Sequence, residues 1–150
     1  MRRAIELAQN GIDANEGGPF GAVVVKNGEI VGEGCNRVTS TNDPTAHAEV
    51  VAIREACKNL NSFQLEGCVI YTSCEPCPMC LGAIYWARPE KMFFACTRED
   101  AGNIGFDDDF IYEEIARPIE ERRIETVNFM RAEGMKVFEN WINKADKIEY

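Results

Sequence analysis

The sequence predicts an α/β fold, a mixed sheet with helices on both faces. Three observations carry that prediction. Two apolar runs, Ala22-Val23-Val24-Val25 and Ile30 to Gly34, flank Asn27-Gly28, a pair that favours a two-residue hairpin turn. After that hairpin, strand-like and helix-like segments alternate, as in sheets covered on two sides. The chain of 150 residues shows no internal repeat and no linker, so a single domain over 1–150 is expected. Its length suffices to bury roughly 70% of the unfolded surface.

The elements follow in order. Ile5, Ala8 and Ile12 recur at helical spacing, and Gly17-Gly18-Pro19 ends that helix. The hairpin comes next, then a polar loop from Thr39 to Pro44 and a helix from about Ala46 to Leu60. Cys68 to Thr72 reads as a buried strand. Pro78 to Ala87 reads as a short helix with proline in its first turn, where the missing N–H costs nothing. Lys91 to Cys96 is a further apolar strand, and Gly102 to Gly105 a loop. A short helix is expected over Asp109 to Ile115, stopped by Pro118, and one more strand over Thr126 to Met130. Val137, Phe138, Trp141, Ile142 and Ala145 then share one face of a last helix.

Charge and composition narrow the function. The formal net charge is −9, and residues 97–125 hold ten acids against four bases. A protein that grips a nucleic-acid backbone normally presents a basic face, so a small molecule is the better partner. No apolar run approaches the ~20 residues of a membrane span, and the first residues lack a signal-peptide core, which places the protein in the cytoplasm. Seven cysteines are too irregular for a disulfide scaffold. Cys35, Cys57, Cys68 and Cys96 lie in or beside apolar stretches and are expected to act as small buried hydrophobes.

The chemistry gathers around the one histidine. His47 lies two residues before Glu49, and Pro76-Cys77-Pro78-Met79-Cys80 follows thirty residues on. If Pro78 opens a helix, Cys77 and Cys80 share a face, and the helix N-terminus favours the thiolate that a metal binds. One imidazole and two thiolates make the ligand count of a catalytic zinc, whose fourth position stays open for water. Glu49 then stands beside the metal as a proton carrier. The competing arrangement recruits Cys74 as a fourth ligand and closes the site. Together these residues form the H-x-E…P-C-x-x-C signature of zinc deaminases.

Residues 17–96 resemble the cytidine deaminase superfamily through Gly18-Pro19-Phe20-Gly21-Ala22, Asn36, Thr45-Ala46-His47-Ala48-Glu49 and Ser73 to Cys80. The Pro-Cys-Pro-Met-Cys form is similar to the branch of purine, yeast-type cytosine and tRNA adenosine deaminases. The tail from Gly105 to Ile115, with Pro118, Glu121-Arg122 and the terminal Tyr150, closely resembles the bacterial guanine deaminases. That resemblance implies a three-layer α/β/α sandwich around a five-stranded mixed sheet, one zinc per subunit, and hydrolysis of guanine to xanthine and ammonia. It implies that Phe20 stacks on the purine, that Asn36 and the Ala48 N–H bond its polar edge, and that Asp108 accepts from its N–H groups. Trp86 is expected in the pocket wall and Tyr150 across its mouth. It further implies a homodimer exchanging a C-terminal segment, about 98–150, so that Asp108 and Tyr150 serve the neighbour's site. The rivals are the same chemistry on guanosine, cytosine or a tRNA adenosine, and a zinc-stabilised module without turnover.

Overall fold

The computed structural model describes residues 1–149; the expectation for Tyr150 lies outside them. The chain divides into two compact units, Met1–Ile111 and Tyr112 onward.

The first unit holds the sheet. The hairpin strands are β1 (Gly21–Lys26) and β2 (Glu29–Cys35). Asn27 (φ 52°) and Gly28 (φ 84°) both adopt positive φ, which the right-handed twist of a tight hairpin requires and Asn-Gly supplies. With β3 (Cys68–Cys74) and β4 (Lys91–Cys96) the sheet order is β2-β1-β3-β4. The first two pairings are antiparallel and β3–β4 is parallel, so the sheet is mixed as expected. It has four strands among the described residues, not five. Residues 125–130 belong to no helix or strand, and Met130 adopts a left-handed φ of 56°. Their Thr, Val and Phe content suits a strand, yet a strand exists only through a partner's hydrogen bonds.

Helix α1 (Arg2–Asp13) packs on one face of the sheet. Ala4, Ala8 and Gly11 are its buried residues, whereas Ile5 and Ile12 of the expected apolar face are exposed. Close approach explains the exchange. A Cβ on Gly21 would stand 2.1 Å from the Ala4 carbonyl oxygen, and one on Gly11 would stand 3.1 Å from Cys35 Cβ. Only small residues fit between helix and strand there. The Arg3 guanidinium reaches Glu33 of β2 with two hydrogen bonds of 2.6 and 2.7 Å, holding the Glu33 carboxyl below its ordinary range.

A single-turn helix α2 (Val38–Thr41) occupies part of the expected polar loop. Helix α3 (Ala48–Leu60) covers the other face, and Ile84 and Ala87 of α4 (Pro78–Ala87) join its core of Ala48, Ala52, Ala56, Leu65, Cys68 and Ile70. Cys68 is buried and Cys35 and Cys57 are half-buried. Cys96 departs from expectation, being exposed at the end of the edge strand. Helix α5 (Arg98–Asn103) follows where only a loop was expected over its second half. Thr97 and Asp100 cap it reciprocally, each side chain taking the other's backbone N–H.

Helix α6 (Asp109–Ala116) runs across the division between the units. Beyond it lie one 3₁₀ turn (Ile119–Glu121) and helix α7 (Arg131–Ile142). None of the described residues 112–149 is buried. Val137, Phe138, Trp141 and Ile142 share a helix as expected but stand exposed, and Ala145 falls beyond its end. No helix among the described residues is long and apolar enough to cross a membrane.

Candidate active site

Two helix starts converge. His47 is the N-cap of α3 (φ −70°, ψ 154°) and Cys77 the N-cap of α4 (φ −64°, ψ 167°), with Pro78 opening the latter. Cys80, one turn into α4, is fully buried. His47 Nδ1 lies 3.5 Å from Cys77 Sγ and 3.4 Å from Cys80 Sγ. All three donor atoms fall within 4.8 Å of one another. Tetrahedral zinc, with Zn–N of ~2.0–2.1 Å and Zn–S of ~2.3 Å, puts such ligands roughly 3.5 Å apart, so the set fits the ion.

The protonation pattern of the cluster fits the same use. The Cys77 thiol is pushed down to about 4, first by a hydrogen bond from Cys80 and then by His47. Cys80, which donates that bond from a buried position, is held upward, and His47 is raised by its bond to Cys77. The cluster thus concentrates negative charge on sulfur and protons around it, the sites a divalent cation takes over. Cys74 stands apart. Its thiol donates to the Thr97 carbonyl at 3.4 Å, and burial pushes it up to about 11. Among the described residues the candidate metal cluster comprises His47, Cys77 and Cys80, three donors without Cys74.

Glu49 sits in the first turn of α3 and is 7% exposed. Burial raises its carboxyl. It lines a cavity of about 290 Å³ with His47, Cys77, Phe20 and Asp108. Asp108 is also raised, by burial and then by the charge of Cys77. Ala48 is fully buried as the first residue of α3, so its N–H is among the donors that a helix start leaves without an intrahelical acceptor.

Asn36, 5% exposed, follows β2 and lines a second, adjoining cavity of about 510 Å³. Its Oδ1 accepts from the Gly18 and Val38 N–H groups, both at 3.2 Å, so the amide orientation is fixed and Nδ2 is the group left to donate. Trp86 does not line either cavity; it is 65% exposed on α4.

Two cavity residues, Phe106 and Arg98, were not singled out from the sequence. Phe106 meets Phe20 edge-on, ring centroids 4.9 Å apart. Arg98 donates its backbone N–H to Glu75 Oε2 at 3.1 Å and pairs with Asp109 at 3.5 Å. These bonds tie the segment before the cysteine helix to the start of α6. Thr97-x-x-Asp100 was the available pointer to α5, and hence to Arg98 at its first position.

Residues 1–96 match the family described as the cytidine and deoxycytidylate deaminase zinc-binding region, and the chain belongs to that family of zinc-dependent deaminases. Within it, the whole chain is 57% identical to the guanine deaminase of Bacillus subtilis (strain 168), over 96% of that protein. The X-ray structure of guanine deaminase from Bacillus subtilis superposes with a TM-score of 0.97 at 58% identity, covering 99% of this chain and 95% of that one. A structure of guanine deaminase from Nitrosomonas europaea gives a TM-score of 0.67 at 35% identity, over 70% of this chain and 61% of that one. A tRNA-specific adenosine deaminase of Bacillus subtilis is 41% identical over 105 residues, 70% of this chain and 65% of its own length.

Proposed function

We propose that the protein hydrolyses guanine to xanthine and ammonia at a zinc ion held by His47, Cys77 and Cys80. The observation that carries this reading is a buried, proton-raised Glu49 beside a three-ligand cluster. A purely structural site gains nothing from a proton carrier. The substrate follows from the tail: similarity to a guanine deaminase runs through all 150 residues, whereas similarity to the tRNA deaminase spans 105. A net charge of −9 also speaks against a tRNA substrate.

A zinc ion at these ligands supplies Lewis acidity that lowers the pKa of water to about 7. The protein's own groups do the rest. Glu49 takes a proton from the water that adds to C2 and passes it to a ring nitrogen; it then carries the proton of the new C2 hydroxyl to the departing amine, so that the C–N bond breaks, ammonia leaves and a C2 carbonyl remains. Phe20 stacks on the purine. The Asn36 amide and the Ala48 N–H donate to its polar edge, and Asp108 accepts from its N–H groups. Adenine leaves those groups mispaired, which costs more than a lost contact.

Ammonia release from guanine, guanosine, cytosine and adenine in parallel tests the substrate. Selective release from guanine is expected; preference for another base overturns the role given to Asp108. A Glu49→Gln variant should retain one zinc per chain and lose ~10²–10⁴-fold in turnover. Full turnover in that variant would sink the mechanism.

The second part of the reading concerns assembly. The sheet ends at β4 with Phe93 and Phe94 exposed, an uncovered edge of the kind that invites pairing. Taken by itself, the segment after Ile111 exposes Val127, Phe129, Phe138 and Trp141. Asp108 lines its own chain's cavity, so the expectation that it serves the neighbour gives way and the exchanged segment starts later than about residue 98. We infer a cytoplasmic homodimer in which the segment after Ile111 is exchanged between copies, Tyr150 serving the neighbour's pocket.

A further inference from the structure

The two cavities of the first unit have three residues in common: Phe20, His47 and Phe106. His47 is fixed as a metal ligand. Phe20 packs against the hydrophobic core of the sheet. Phe106 does neither. It belongs to the loop after α5, anchored by its backbone N–H to the Ala101 carbonyl at 3.0 Å, and its ring stands at 88° to that of Phe20. The ring is seated on bare backbone. A Cβ on Gly18 would lie 2.9 Å from Phe106 Cζ and 3.0 Å from Cε1, so glycine at 18 is what lets the ring close over this position.

We propose that Phe106 is a specificity-determining residue, a partition between the metal cavity and the Asn36 cavity that admits a bare purine and excludes one carrying a pentose at N9. The proposal rests on the guanine reading above. In that reading C2 lies at the metal, inside the smaller cavity. Asn36, which that reading gives to the purine's polar edge, lines the second cavity and not the first, so the half of the purine remote from C2 reaches the boundary between them. The metal cavity, about 290 Å³, lies at the low end of the roughly 300–1,000 Å³ of ligand pockets and suits one heterocycle. A sugar on N9 needs further enclosed space, and it needs partners for hydroxyls taken out of water. The second cavity offers room, about 510 Å³, and polar partners in Asn15 and Thr39. Phe106 stands between the sugar and that room.

The test compares the zinc-loaded protein with Phe106→Ala and Phe106→Leu, using guanine and guanosine as substrates. Because xanthine and xanthosine do not turn over, calorimetric titration with both reads the partition independently of activity. The unaltered protein is expected to turn over guanine, to disfavour guanosine and to bind xanthine but not xanthosine. Phe106→Ala should raise the guanosine-to-guanine ratio of kcat/KM at least ~10-fold and bring xanthosine binding into range, with Phe106→Leu intermediate. Gly18→Ala, which displaces the ring without removing it, should move both readouts in the same direction. An unchanged ratio and absent xanthosine binding in variants that keep zinc and fold would overturn the partition. So would an unaltered protein that takes guanosine as readily as guanine. Failure to turn over guanine at all would show before any variant is made, and it would sink the guanine reading and this one together.

Discussion

Residues 1–111 and residues 112–149 draw on similar side chains and use them differently. The first stretch buries a core that includes Ala22, Val24, Ala52, Leu65 and Ile70 between the sheet and its helices. The second carries Val127, Phe129, Val137, Phe138, Trp141 and Ile142 and buries none of them. Apolar periodicity states that a face will be covered. It does not state which chain supplies the cover. In the first stretch the cover is a sequence neighbour; in the second, on our reading, it is another copy.

The strongest way to separate the regions is to remove the metal. His47→Ala should lose bound zinc, measured by metal analysis, and lower turnover by ~10³-fold or more, since several kcal/mol of Lewis-acid stabilisation disappear. Its mass by sedimentation should stay that of a dimer. If the dimer dissociates as well, the regions are not independent. Phe129→Asp is the reverse experiment. Phe129 is 82% exposed in the single chain, so a monomer would not notice the change. An exchanged dimer should dissociate to monomers in sedimentation while each chain keeps its zinc.

Smaller effects sharpen the picture of the first region. Gly32→Ala forces a Cβ to within 2.4 Å of the Ala52 carbonyl oxygen. That overpacking should cost ~1–3 kcal/mol and lower Tm by several degrees. The smallest effect is expected for Glu33→Gln, which breaks the bridge to Arg3. The Glu33 carboxyl is held below its ordinary value of 4.5, so its contribution is present above that pH and fades as pH falls through the lower folded value. The variant should therefore show a slightly reduced Tm at pH 7, and the difference should close in acid. A gap that persists at pH 2 would contradict the assignment.

Much of the first region was legible because its signals are local. Asn27-Gly28, Pro78 and the spacing of Cys77 and Cys80 each specify geometry within a few residues, and all three appear as expected. What escaped depends on distant partners. Phe106 is placed by Gly18, and no pattern around either residue announces the other. The buried side of α1 was misread because its spacing with the sheet is set by Gly21, which favours Ala4 and Ala8 over Ile5 and Ile12. Cys96 looked like a core residue because Met92 to Ala95 are apolar; it lies on an edge strand, which composition does not reveal. The strand expected over Thr126 to Met130 has a suitable composition and, among the described residues, no partner.

The glycines of β2 have a consequence for the metal. Gly34 lies under the first turns of α3, where a Cβ would stand 2.3 Å from the Ala48 carbonyl oxygen and 2.7 Å from the Ala52 N. Ala48 is flanked by His47 and Glu49, so the contact gauges how far those two side chains stand above the sheet. Cys77 and Cys80 are carried on a separate helix, α4. A methyl group at position 34 would raise one half of the coordination set and leave the other where it is. The spacing of the candidate donor atoms is therefore set partly by a residue that has no side chain and never touches them.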